Sequence, residues 1–344
     1  DFAIDQHGGN RDWQCSSWAS MKSAVLVLAF NRPDLLTSVL ERVTIANPAS
    51  VHVVVDGPRK GNQRDQAACE ANRQVVKRFN SQLTIKTRFR DENLGCKASV
   101  SEGITWFIED VGEGIILEDD CLPSPSFFPF CDRFLRAYRE SPDVGLLVGT
   151  HYKPERIQGP EKVFWSRYGL CWGWATWERA WAKFDGEMAD WPTVRETDWL
   201  REKVNGHRDA RFFWQRAFDN CRFNGLDSWA WPWMYSLWRN DLLSLHSNRN
   251  LVLNVGFLPG ATHTRQPVKS YRESQLQELD VARLNEPSPG VDQREDRWMD
   301  LHHFQTMKAW NPIRRWLWNP TKRVLKRVLP TGITNRLRRG RDDK

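Results

Sequence analysis

From residue 23 the chain alternates between short apolar runs and longer stretches whose apolar positions recur every three or four residues. The runs Ala24–Phe30, Val51–Val55, Leu83–Phe89, Gly114–Leu117 and Val144–Val148 predict strands, because they are short, Val/Ile/Leu-rich and bounded by turn residues. Between them the helical period predicts helices over Pro33–Ile45, Asn62–Phe79, Ala98–Asp110 and Ser126–Glu140. Pro33 suits a first helical turn, where its missing N–H costs nothing. Strands alternating with helices of this length predict βαβ units and a parallel sheet, an α/β fold. After about Thr150 the alternation fades, and Trp, Arg and short turns dominate as far as His263. The pattern there predicts a second half built on the edge of the sheet. Residues 271–300 are charged and irregular, through Glu286-Pro-Ser-Pro-Gly290, and read as a linker or surface excursion. Residues 1–20 lack periodicity and read as a flexible leader. The expected organisation is therefore a leader (1–20), a sheet half (21–150), a second half of the same domain (151–270), and a linker with tail (271–344).

The strand at Gly114-Ile115-Ile116-Leu117 stops in three consecutive acids, Glu118-Asp119-Asp120. Neighbouring carboxylates repel, so positive charge is expected beside them. The carboxyl ends of strands in open α/β sheets are also where ligands bind. A hard dication, Mn²⁺ or Mg²⁺, held by one or two carboxylates and by ligand phosphates is the economical explanation. The bland reading is a solvated acidic loop.

Composition changes this picture only in part. With 344 residues, 40% hydrophobic and 27% charged, the chain can bury a large core. No apolar run approaches the roughly 20 residues that span a bilayer. Seven scattered cysteines without a C-x-x-C motif suggest neither disulfides nor zinc, and fit a reducing cytoplasm. The net charge of +7 is uneven: eleven Lys/Arg against two Asp between Arg314 and Lys344 give a local +9, leaving about −2 for residues 1–313. The main body is thus not a basic nucleic-acid binder. In the tail, Val324, Leu325, Val328 and Leu329 share a helical face opposite Lys322, Arg323, Lys326 and Arg327, with Trp316 and Trp318 before them. That pattern suits peripheral binding to an anionic membrane surface, or packing on the parent domain. The chain has nineteen tryptophans, concentrated between Trp165 and Trp238. Many would fill core, and the remainder suggest a surface that stacks on sugar rings.

Three strand ends converge on one edge: Ala29-Phe30-Asn31-Arg32, Asp56-Gly57 and Glu118-Asp119-Asp120. A nucleoside diphosphate would use all three. The loop at Asn31 and the acid Asp56 can hydrogen-bond base and ribose, and Arg32 and Lys97 can meet phosphate oxygens. There is no G-x-G-x-x-G after the first strand and no P-loop, so dinucleotide oxidoreductases and P-loop NTPases lose support.

These residues resemble a family. Ala-Phe-Asn-Arg-Pro, Val-Asp-Gly-Pro, Asn-Leu-Gly-Cys-Lys, Ile-Leu-Glu-Asp-Asp-Cys-Leu-Pro-Ser-Pro-Ser-Phe-Phe and Ser-Arg-Tyr-x3-Trp-Gly-Trp-Ala-Thr-Trp are similar to bacterial nucleotide-diphospho-sugar glycosyltransferases of the GT-A fold. The layout, over about residues 23–265, resembles the N-acetylglucosaminyltransferase I group. The resemblance implies a Rossmann-like, mostly parallel sheet flanked by helices, with a Trp-rich acceptor half and a basic C-terminal helical tail. It implies a metal-dependent, inverting transfer from a UDP-sugar to a glycan or surface-polysaccharide hydroxyl. Asp120 would be the direct metal ligand, Glu118 and Asp119 would lie near ribose and donor sugar, and Asp56 would contact the nucleobase. Arg32 would face base or phosphate, and Trp172 and Trp174 would wall the donor and acceptor sites. Asp227, in Leu226-Asp227-Ser228-Trp229-Ala230-Trp231, falls where the group carries its general base, or else serves as a helix cap. Ala230 stands where the relatives carry a second acid. His263, in Ala261-Thr262-His263-Thr264, would touch diphosphate or metal, or be a satisfied structural residue. Two alternatives remain: a nucleotidyltransferase that makes nucleotide-sugars, and an inactive homologue that only binds carbohydrate.

Overall fold

A computed structural model describes residues 21–154, 157–256 and 275–306. The elements run β1 (Ala24–Ala29), α1 (Pro33–Ala46), β2 (Val51–Val55), α2 (Gln63–Phe79), β3 (Ile85–Phe89), α3 (Cys96–Val111), β4 (Glu113–Glu118), β5 (Cys121–Pro123), α4 (Phe127–Ala137) and β6 (Val144–Val148). They continue with β7 (Val163–Ser166), β8 (Trp174–Trp177), three short helices α5 (Glu178–Trp181), α6 (Trp191–Val194) and α7 (Trp199–Lys203), then α8 (Arg208–Phe223), α9 (Ala230–Arg239), β9 (Leu243–Ser247), β10 (Val252–Asn254) and α10 (Gln293–Trp298).

Eight strands form one sheet in the order β3-β2-β1-β4-β8-β6-β9-β7. The first four are parallel, as the βαβ pattern requires. The second half continues the same sheet: β8 runs antiparallel to both β4 and β6, and β7 antiparallel to β9. The protein is therefore a mixed α/β fold with a large, mostly parallel central sheet flanked by helices.

Apolar clusters cover both faces of the sheet. α1 contributes Leu36, Val39, Leu40 and Val43, a stripe at helical spacing, to one of them. On the other face tryptophan replaces the aliphatic core. Trp174 stacks on Trp229 with ring centroids 5.6 Å apart, and Trp181 lies 5.0 Å from Trp233. Trp191 and Trp214 are also wholly buried. Each large apolar side chain so buried contributes roughly 1.5–3 kcal/mol. That explains how helices as short as α5 to α7 hold their place.

Residues 275–306, expected as a linker or surface excursion, pack along the β7 side of the sheet. Leu279 and Leu284 join the core, Asp292 N–H donates to the Trp165 carbonyl (2.8 Å), and Val291 bridges to Trp165. Inside this segment Asp296 is buried and accepts from Ser166 Oγ (2.5 Å) and Arg167 Nε (2.7 Å). Irregular sequence misled because the segment is fastened by hydrogen bonds and ion pairs rather than by a periodic apolar face. The leader, His263 and the basic tail lie outside the described residues.

Candidate active site at the carboxyl ends of the parallel strands

Sheet register builds the site. Leu28 of β1 pairs with Glu118 of β4, the Asp119 N–H donates to the Leu28 carbonyl (2.9 Å), and the Asp56 N–H donates to the Ala29 carbonyl (2.9 Å). The ends of β1, β2 and β4 therefore stand in one row. A cavity of about 280 Å³ opens there, lined by Phe30, Arg32, Asp56, Glu118, Asp119 and Asp227 among others. Six residues from four distant stretches of sequence thus meet at one mouth.

The acid triplet is not left bare. Arg32, at the start of α1, spans it: one guanidinium nitrogen bonds Asp119 Oδ1 and the other donates to Asp120 Oδ2 at 2.8 Å. Arg32 thus sits against the two carboxylates it was expected to complement through a ligand phosphate. Burial works against its charge, but Asp119 and Asp120 outweigh that cost and raise its pKa. Asp119 lies deepest, and burial above all pushes its pKa up to about 6 despite the pull of Arg32. Glu118 has no hydrogen-bond or ion-pair partner among the described residues. Burial, then the charges of Asp120 and Asp119, push its pKa up to about 8.

Asp120 is tied to the antiparallel ribbon of β5 and β10. Its Oδ1 accepts from Asn254 Nδ2 (3.3 Å), and its carbonyl accepts from the Val255 N–H (2.8 Å). Gly256 closes over it. A Cβ there would lie 2.0 Å from Asp120 Oδ2 and 2.9 Å from the Arg32 guanidinium, so only glycine fits.

Asp56 is buried and held by neighbouring backbone. Its Oδ1 accepts from Gly57 N–H (2.9 Å) and Leu94 N–H (3.1 Å), and its Oδ2 from Asn93 Nδ2 (2.8 Å). Burial raises its pKa, and those two N–H groups oppose the rise.

Asp227 arrives from the second half, between α8 and α9. Its carboxylate accepts from the N–H groups of Cys96 and Lys97, both at 2.8 Å. Those are the first donors of α3, whose own N-cap position, Gly95, has no side chain to serve them. Gly95 has φ +85°, and a Cβ on it would sit 2.9 Å from Asp227 Oδ2. Asp227 therefore both lines the cleft and caps a helix more than a hundred residues away in sequence.

Other expected residues depart from the cleft. Lys97 Nζ pairs with Glu187 (2.6 Å), outside the cavity lining. Asn31 donates to Asp65 (2.9 Å) and so supports the loop instead of lining the cavity. Trp174 is no ligand wall: β8 is an internal strand, and its indole is sealed among Trp181, Trp229 and Trp233. Trp172 is half-buried, edge-on to Tyr152 at 5.9 Å, and packs on both apolar clusters. Phe30 and Arg59 were missed. Arg59 lies 5.5 Å over the Phe30 ring and is fixed by Asp65, an i,i+6 pair that no helical spacing reveals.

A larger cavity, about 600 Å³, opens at the opposite ends of the same strands. Two ion pairs lie in its lining, Arg139–Glu113 at 2.6 Å and Arg136–Asp132 at 3.7 Å, and ligands of open α/β sheets bind at the carboxyl ends. The smaller cleft is the better candidate.

No protein-family model and no curated protein matches this chain. A solved structure of UDP-glucose pyrophosphorylase complexed with UDP-glucose is similar at 11% identity, with a TM-score of 0.24. The similarity covers 42% of this chain and 63% of that one, so the chain spans less than two thirds of its length. At that distance it says nothing of this chain's chemistry.

Proposed function

We propose that the chain is a GT-A glycosyltransferase that moves a sugar from a nucleoside diphosphate, UDP by resemblance, to a glycan hydroxyl. The observation that carries this reading is the meeting of Asp56, Glu118 and Asp119 in one cleft at the carboxyl ends of β1, β2 and β4, with Asp120 joined to it through Arg32. Four carboxyls, Asp227 included, line the cleft with Arg32, which is already committed to Asp119 and Asp120 as Arg59 is to Asp65. A bare diphosphate would be repelled, so one that binds must bring positive charge with it. Hard oxygen donors on Asp120 and Glu118 fit Mn²⁺ or Mg²⁺. Among the described residues no three His, Cys, Asp or Glu side chains form a complete ligand set, so ligand phosphates and water would supply the remainder. When bound, the cation supplies charge that offsets the negative charge growing on the departing diphosphate.

The chain's own residues do the rest. Asp56 and the loop after β1 hold the nucleoside end, and Asp119 stays buried to set the floor. The acceptor oxygen attacks the anomeric carbon as the bond to the diphosphate oxygen breaks, the bonding pair leaving with the diphosphate. The acceptor proton goes to Asp227.

Asp227 also raises a second reading, a homologue that binds donor but does not transfer, because both its oxygens already accept backbone N–H groups. Asp227→Asn separates the two. Asparagine keeps one of the two acceptor oxygens that serve the Cys96 and Lys97 N–H groups, so stability should fall by no more than ~2 kcal/mol while transfer from the UDP-sugar falls at least ~10²-fold. Unchanged transfer would leave Asp227 a cap only. For the reading as a whole, UDP with Mn²⁺, each at about a hundred times its dissociation constant, should stabilise the fold by ~2.7 kcal/mol. The pair should exceed either component alone in a thermal melt; no shift with any nucleoside diphosphate sinks the transferase.

A further inference from the structure

We infer that Arg32 is an exchangeable counter-ion: it neutralises Asp119 and Asp120 in the empty cleft and releases Asp120 to a divalent cation when the nucleotide arrives. This rests on the transferase reading above. The argument begins with the fork. The guanidinium uses one nitrogen for each acid, so it can leave one carboxylate while keeping the other.

The two bonds are not equivalent. Asp119 is the deeper acid, with its side chain 2% exposed, and it also accepts from the Phe30 N–H at 3.4 Å. Asp120 is 12% exposed, and apart from Arg32 its side chain holds, among the described residues, a long bond from Asn254 and the Cys121 thiol at 3.6 Å. The Asp120 arm is therefore the one that opens. Its Oδ2 is the atom that Arg32 occupies and against which Gly256 packs, so a cation reaches it as the Arg32 arm opens.

Charge sets the direction of exchange. Asp119, Asp120 and Arg32 together carry a single net negative charge, which a dication reverses to a single positive one; with Glu118 ionised the group comes to neutral, and either way the repulsion of a diphosphate is removed. Arg32, still held on Asp119, adds to the field at the phosphates. Arg32 should consequently oppose metal alone and favour metal with nucleotide, a pair of opposite signs that a merely structural residue would not produce.

The experiment measures Mn²⁺ binding by electron paramagnetic resonance and UDP binding by calorimetry on the full chain. Arg32→Met removes the charge and keeps the bulk. Mn²⁺ alone should bind at least ~10-fold tighter than to the parent, because a like charge in direct contact is gone. UDP at saturating Mn²⁺ should bind at least ~10-fold weaker. Asp120→Asn in the Arg32→Met background should abolish the added Mn²⁺ affinity. Mn²⁺ affinity that is unchanged or lower in a folded Arg32→Met protein overturns the exchange. Should Arg32→Met fail to fold, Arg32→Lys reaches only one carboxylate, and Mn²⁺ should still tighten several-fold; no change there overturns it equally. If the parent itself shows no Mn²⁺-dependent UDP binding, the transferase reading falls first, whatever the variants do.

Discussion

With asparagine in place of Asp120, saturating Mn²⁺ and UDP should no longer raise the melting temperature beyond what UDP does alone. In the parent the pair should add about 4 °C, from ~2.7 kcal/mol of linkage at roughly 1.4 °C per kcal/mol for a chain of 344 residues. Asparagine is nearly isosteric, and its carbonyl oxygen can still accept from Arg32. The ribbon of β5 and β10 that positions residue 120 depends on backbone bonds, such as Val255 N–H to the Asp120 carbonyl. The fold should therefore survive while the anionic oxygen is lost. A parent-sized shift in differential scanning fluorimetry would remove Asp120 from the metal site and take the leading reading with it.

The second large effect concerns stability. Asp296→Ala should lower the free energy of unfolding by ~3–5 kcal/mol, the cost of leaving a buried partner charge unpaired. Asp296 is 2% exposed and Arg167 is 15% exposed, and Ser166 Oγ completes the group. Burial raises the Asp296 pKa, with Ser166 and Arg167 pulling against it. A built-in comparison is the exposed pair Arg283–Asp280, with side chains 83% and 47% exposed. Asp280→Ala should cost well under 1 kcal/mol. Equal, small losses for both variants in urea melts would show that 275–306 can detach without disturbing the sheet.

How much of this was legible in the sequence depends on the distance each interaction spans. The strands bearing the site residues were visible because each is a short apolar run closed by turn chemistry, and β1, β2 and β4 carried Asp56 and the acid triplet to their ends. α1, with Pro33 at its start and an apolar stripe, was visible for the same local reason. Arg32 lines the cleft, yet its partners were not legible. An arginine opening a helix reads the same whether it faces a phosphate or two carboxylates, and only the β1–β4 register decides. Asp227 was marked as acidic and aromatic-flanked. That it caps α3 could not be seen, because Cys96 and Lys97 lie so far off in the chain. The tryptophans misled most. Composition suggests sugar stacking, but the second half has few strands and short helices, and it needs large rings to fill its core. Trp174 is the clearest instance.

The cap on α3 has a consequence for assembly. The first donors of that helix stand at the cleft and wait on a side chain supplied by residue 227. During synthesis the sheet half emerges first, with Cys96 and Lys97 still served by water. The cleft wall is thus finished only when the later half has docked.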